Sequence, residues 1–167
     1  VKPLYVSPED MREALALLNT HQQQDRVLER DNPLANRHPK TPVQPELHYR
    51  DDACSTMAAI DRYFVDLVAA NPDLRPRVGN PDELASNRLT GVLKALRHRV
   101  SEPESELEAV DGDIITVLNE EAVVSACLAN RAGLNLVASY EAFCVKMLGA
   151  VRQNLIYARQ QKEIGRP

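Results

Sequence analysis

Apolar residues along this chain recur at two spacings, and the switches between them mark out the elements. Ser7-Pro8-Glu9-Asp10 reads as a helix start, with a capping serine, proline at the first helical position and an acid three residues beyond the cap. Met11, Ala14, Leu15 and Leu18 form the apolar stripe that follows, fading in the polar segment from His21 to Asp25. A second helix is predicted from Asp51 or Asp52, with Met57, Ile60, Phe64, Leu67 and Val68 on its buried face, until Asn71-Pro72-Asp73 stops it. A third, capped by Ser86, turns Leu89, Val92, Leu93 and Leu96 inward and closes on Arg97-His98-Arg99, the charge its dipole favours. Two more are expected, at Ala122 to Asn130 and at Tyr140 to Gln160, the latter with Phe143, Met147, Leu148, Val151 and Leu155 buried.

Between the helices lie three short runs of strand character. Leu74 to Val78 carries Pro76 and leads into Gly79-Asn80-Pro81. Ile114-Ile115-Thr116-Val117-Leu118 is an unbroken apolar, β-branched run of the kind buried on both faces of a parallel sheet, and Leu134 to Ala138 is the third. The alternation of strand and helix predicts an α/β fold with a parallel sheet and helices on both faces. Residues 51–167 form this domain in our reading, and residues 1–50 a helix followed by a linker. Within that linker Pro33, Pro39, Pro42 and Pro45 impose an extended, stiff path. Ser101 to Glu108 reads as an acidic surface loop.

Composition narrows the function. With 44% hydrophobic and 26% charged residues in 167, the chain reads as a soluble globular protein with a single core. A formal charge of -4, with basic and acidic residues interspersed, gives no pull toward nucleic acid or anionic lipid. No apolar run reaches a membrane span and Val1-Lys2-Pro3 does not begin a signal peptide, so a cytoplasmic location is expected. Cys54, Cys127 and Cys144 sit in apolar helical patterns and read as buried thiols, and the four histidines lack ligand spacing. Asp111-Gly112-Asp113 precedes its strand instead of following one and is not read as a metal site.

Ligands of parallel sheets bind beyond the carboxyl ends of the strands. Three polar clusters fall there: Asn80 to Arg88, Asn119-Glu120-Glu121 and Ser139-Tyr140-Glu141. The first joins a turn, two carboxylates, a hydroxyl, an amide and a guanidinium, and it is the stretch around which the chain is organised.

Gly79 to Leu89, the strand leading to Asn119-Glu120, Ala138-Ser139-Tyr140-Glu141-Ala142-Phe143 and the closing Lys162 to Pro167 together resemble the thiamine-diphosphate-dependent phosphoketolases. Asn32-Pro33-Leu34-Ala35-Asn36 is similar to that family's interdomain connector. The resemblance implies an incomplete pyrimidine-binding domain preceded by a linker. It also implies roles: Glu120 would hydrogen-bond the N1′ nitrogen of the cofactor's aminopyrimidine, Phe143 would stack on that ring and Tyr140 would face the reacting carbons. Ser86 and Arg88 would hold the sugar phosphate or inorganic phosphate. Glu120 is preferred to Glu121 because it keeps register with the motif, Glu121 standing where the family has a histidine.

The implied reaction cleaves a ketose phosphate with inorganic phosphate, giving acetyl phosphate and an aldose phosphate. Magnesium would be held by a pyrophosphate-binding domain outside this chain, supplied as a companion domain or subunit of a homo- or hetero-oligomer. Two alternatives stand beside it: a non-catalytic binding or regulatory subunit of the same fold, favoured by the altered stretch from Glu121 to Gly133, and an enzyme passing a two-carbon unit to another acceptor. For Phe143 the plain alternative is a core aromatic, and for Arg88 a salt bridge to Asp82 or Glu83.

Overall fold

The computed structural model describes residues 6–24, 31, 38–46 and 54–163, and its contacts divide the chain into two units, Val1–Asn36 and Arg37–Pro167. The first contains helix α1, Pro8–Gln23, which starts where the capping pattern places it. The Ser7 hydroxyl oxygen accepts from the Asp10 N–H at 3.0 Å and donates to the Asp10 carboxylate at 2.7 Å. Its stripe of Met11, Ala14, Leu15 and Leu18 stands exposed, because no described element of that unit packs on it.

In the second unit residues 38–46 run extended, as their prolines predict. Asn71 pins them: its side chain accepts from the Val43 N–H at 2.7 Å and donates to the Val43 carbonyl at 2.8 Å, while the Tyr63 hydroxyl bonds the Gln44 side chain. The Asn32–Asn36 connector, the Asp51 or Asp52 helix start and the last four residues lie outside the described residues. Helix α2, Thr56–Ala70, opens on the Ser55 cap.

Strands β1 (Pro76–Gly79), β2 (His98–Arg99), β3 (Glu108–Ala109), β4 (Ile114–Ile115) and β5 (Leu134–Val137) form one sheet in the order β3-β2-β4-β1-β5, with every pairing parallel. The three predicted strands are its adjacent β4, β1 and β5. On one face α2 and α3 (Thr90–Leu96) cover Val78 and Ile114, closing a core with Phe64, Leu84, Leu89, Val92, Leu96 and Leu134. On the other lies α4, Glu120–Leu128. It approaches so closely that a Cβ on Gly79 would sit 2.8 Å from the Val123 carbonyl oxygen and 2.9 Å from Cys127 Sγ. Val123 and Val124 of α4 pack in turn on Met147 and Ala150.

Several expectations are corrected. The run Ile114 to Leu118 stops being strand after Ile115, leaving Val117 46% and Leu118 93% exposed. Its neighbour β1 leaves the sheet at Asn80-Pro81, whose last ladder bond is Asn80 N–H to the Ile115 carbonyl at 3.1 Å. Of Arg97-His98-Arg99 only Arg97 closes α3, its N–H bonding the Leu93 carbonyl at 3.1 Å; it takes φ 53° and the chain turns into β2, where His98 N–H bonds the Leu107 carbonyl at 2.8 Å.

Ser86 does not cap α3. That helix begins at Thr90 with no cap from its own chain end, and the buried Asp61 of α2 accepts from the Gly91 and Val92 N–H groups at 2.9 and 2.8 Å instead. The long C-terminal helix is two pieces, a 3-10 helix at Glu141–Met147 and α5 at Leu148–Glu163. Of its predicted buried face only Met147 is buried; Phe143, Leu148, Val151 and Leu155 are exposed, because the residues that pack on α4 are Met147 and Ala150. Cys127 is buried, whereas Cys54 and Cys144 are exposed. Among the described residues no helix is long and apolar enough to cross a membrane.

Candidate functional site

Hydrogen bonds gather the three strand ends on one side of the sheet. Asn80, fully buried after β1, donates from its side-chain amide to the Ala138 carbonyl just beyond β5, at 2.8 Å. Two residues on, the Asp82 carboxylate accepts from the Ser139 hydroxyl at 2.9 Å. The Ser86 hydroxyl donates to the Glu83 carbonyl at 2.7 Å and lies 2.7 Å from the Tyr140 hydroxyl. Because serine has one proton to give, Tyr140 is the donor in that second bond. The loop after β1 is thus stitched to the loop after β5 at three successive points. Asn80 Oδ1 is buried with no partner among the described residues.

The third strand end enters through α4. Asn119 caps this helix, its side-chain oxygen accepting from the Ala122 N–H at 2.8 Å, which puts Glu120 and Glu121 in the first turn where the dipole favours carboxylates. The two then diverge. Glu121 is exposed and its Oε1 lies 2.9 Å from where a Cβ on Gly149 of α5 would stand. Glu120 is largely shielded, its side chain only 12% exposed, and both its carboxylate oxygens lie 3.4 Å from Lys146 Nζ.

That ammonium also stands 4.8 Å from the centroid of the Phe143 ring. Phe143 and Tyr140 share one turn, closed by Phe143 N–H to the Tyr140 carbonyl at 2.9 Å, and both rings are partly open to solvent. A shielded carboxylate and an accessible aromatic face therefore converge on one cation. Such a pair suits the edge and face of a flat, protonatable nitrogen heterocycle.

Arg88 looks elsewhere. It adopts φ 58°, an uncommon left-handed conformation for a side-chain-bearing residue. With Ala58, Asp61, Arg62, Ala85 and Thr90 it lines an open cavity of about 390 Å³ against α2. Among the described residues it forms no ion pair with Asp82 or Glu83, and Ser86 and Arg88 share no hydrogen bond. Of the residues singled out from sequence, the structure joins Ser86 to Tyr140 and Glu120 to Phe143 through Lys146, and leaves Arg88 facing α2.

Two residues at this end of the fold went unnoticed in the sequence. Asp61 stands in the apolar stripe of α2, four residues after Met57 and three before Phe64, and a carboxylate there needs a buried partner. Lys146 follows Phe143 by one helical turn, the spacing at which a cation reaches a ring.

At the opposite, amino-terminal end of the strands, burial raises the Asp113 carboxyl above its usual range against the pull of Arg77, Arg99 and Arg75. Burial likewise lowers Arg77, helped by Arg75 and Arg99 and opposed by Asp113. Under α4, burial pushes the Cys127 thiol up to about 11, Arg77 acting in the opposite direction.

A search of curated proteins finds no match to the chain. The family model described as D-xylulose 5-phosphate/D-fructose 6-phosphate phosphoketolase matches residues 58–167, a span that holds all five strands, the polar loops at their ends and the Glu120–Lys146–Phe143 cluster. The chain belongs to the D-xylulose 5-phosphate/D-fructose 6-phosphate phosphoketolase family.

Proposed function

We propose that the unit holding the sheet is the pyrimidine-binding part of a phosphoketolase-like enzyme that uses thiamine diphosphate. The reaction cleaves a ketose phosphate with inorganic phosphate, giving acetyl phosphate and a shortened aldose phosphate. The observation that carries this reading is the convergence of Glu120 and Phe143, far apart in sequence, on a single cation between a carboxylate edge and an aromatic face. The residues present fit the group: one acid shielded from water and one ring face open to it.

Bound thiamine diphosphate supplies the carbanion-stabilising chemistry that carbon–carbon cleavage requires. Glu120 holds and exchanges a proton at the pyrimidine N1′, a task suited to a carboxyl placed at a helix start and screened from solvent. Phe143 stacks on the ring and fixes its plane. Tyr140, its hydroxyl anchored to Ser86, faces the reacting carbons, and of the two phosphate candidates Arg88 keeps that role from the α2 side of the loop, because the Ser86 hydroxyl already gives its proton to the Glu83 carbonyl. Pyrophosphate and magnesium are held by a companion domain or subunit, in a homo- or hetero-oligomer.

The test is Glu120→Gln in the assembled enzyme, which keeps shape and hydrogen bonding and removes the exchangeable acid. Acetyl phosphate formation should fall by about 10²-fold or more with the melting temperature unchanged. Near-normal turnover would remove Glu120 from the chemistry.

A further inference from the structure

The Lys146 ammonium makes both contacts that a pyrimidine ring would make in this site. It lies 3.4 Å from each Glu120 oxygen, where the ring's edge would bond, and 4.8 Å over Phe143, where its face would stack. We propose that Lys146 is a gate on the cofactor site: its ammonium occupies the place of the aminopyrimidine between Glu120 and Phe143, and thiamine diphosphate enters by displacing it. This rests on the pyrimidine-site reading above.

Three features make the lysine displaceable. Its side chain is 57% exposed, so the unbranched stem can carry the charge into water without unpacking anything. The contact of 3.4 Å to both oxygens is longer than the roughly 2.7–2.9 Å of a strong charge-assisted bond, and solvent screens it. Its backbone belongs to the 3-10 helix Glu141–Met147, whose i to i+3 bonds hold less firmly than α-helical ones and which commonly marks a hinge.

Glu120 governs the exchange. A carboxylate this shielded is costly without a partner, and Lys146 supplies one while the site is open. An incoming ring, with one proton taken up from solvent to sit between its N1′ and the carboxylate, replaces that donor, so Glu120 trades one partner for another and is never left bare. The Phe143 ring likewise exchanges a cation for a stacked heterocycle. The gate therefore costs the protein little when closed and yields only to a ligand that satisfies both groups at once.

The test titrates thiamine diphosphate with magnesium by calorimetry into the enzyme assembled with its pyrophosphate-binding companion, for the wild type, Lys146→Met, Lys146→Arg and Glu120→Gln. Lys146→Met keeps the stem and removes the charge, and should bind about two- to fivefold tighter than the wild type, the range expected for losing one exposed ion pair. Lys146→Arg, with a planar fork that grips a carboxylate more firmly, should bind more weakly. A second readout needs no variant: amine acylation followed by mass spectrometry should show Lys146 labelling faster when thiamine diphosphate is present, because the ammonium has been expelled to solvent.

Equal affinity for wild type and Lys146→Met, with weaker binding by Glu120→Gln, would leave the pyrimidine site standing and overturn the gate. Weaker binding by Lys146→Met, or protection of Lys146 by the cofactor, would make the lysine a ligand and overturn it too. Binding by none of the chains, or undiminished binding by Glu120→Gln, would overturn the site reading and the gate with it.

Discussion

Asp61 carries a structural burden that its neighbours in α2 do not share, and two N–H groups depend on it. Its carboxylate, 7% exposed, accepts from Gly91 and Val92 at the start of a helix that has no cap of its own. Asp61→Ala should lower unfolding stability by about 2 kcal/mol, the sum expected for a lost cap and stranded donors, in a urea titration at neutral pH. An unchanged midpoint would mean that water serves α3 as well.

Cys127 gives a second test at this scale. Its thiol is held near 11 against an ordinary value of 9.0, so the folded chain keeps a proton that the unfolded chain releases. The associated stability is fully present below pH 9 and is lost as the pH rises toward 11. The stability difference between wild type and Cys127→Ala should therefore shrink across that window, and a constant difference would contradict the burial account. The exposed Cys54 and Cys144 should react with iodoacetamide well before Cys127 does.

At the scale of elements, legibility followed burial. The stripes of α2 and α3 could be read because Phe64, Val92 and Leu96 face one apolar core, so their spacing records a real face. The strand run at Ile114 misled in length, since apolar, β-branched residues signal a strand only while a neighbour remains to pair with, and β1 departs at Pro81. Strands β2 and β3 were illegible: two residues each carry no period, and backbone bonds alone assign them.

The C-terminal helical segment kept its extent, in two pieces, but not its buried face, because the residues that meet α4 are Met147 and Ala150, and Leu148 between them faces away. In the site, motif order placed Glu120, Tyr140 and Phe143 at strand ends, whereas the lysine between them could be found only from the folded geometry. The contact of β1 with α4 is a close approach at Gly79. Gly79→Ala puts a methyl within 2.8 Å of a carbonyl oxygen and should cost about 1–3 kcal/mol, through overpacking that also tilts α4 and Glu120. Full stability in that variant would show the interface to be looser than described.

Taken whole, the unit Arg37–Pro167 is a parallel sheet that gathers three loops at the carboxyl ends of its strands, and the family match spans residues 58–167 of the chain. At the far end the Asp113 carboxyl, raised by burial, lies in the field of Arg77, Arg99 and Arg75. The proposed pyrimidine ring binds at the carboxyl ends of the strands, between Glu120 and Phe143. Chemical-shift mapping by NMR, with thiamine diphosphate titrated to millimolar excess over the full chain, tests it most directly. The shifts should cluster at residues 119–122 and 140–146 and vanish in Glu120→Gln. Shifts confined to the cavity of Arg62 and Arg88, or the same pattern persisting in Glu120→Gln, would contradict the claim.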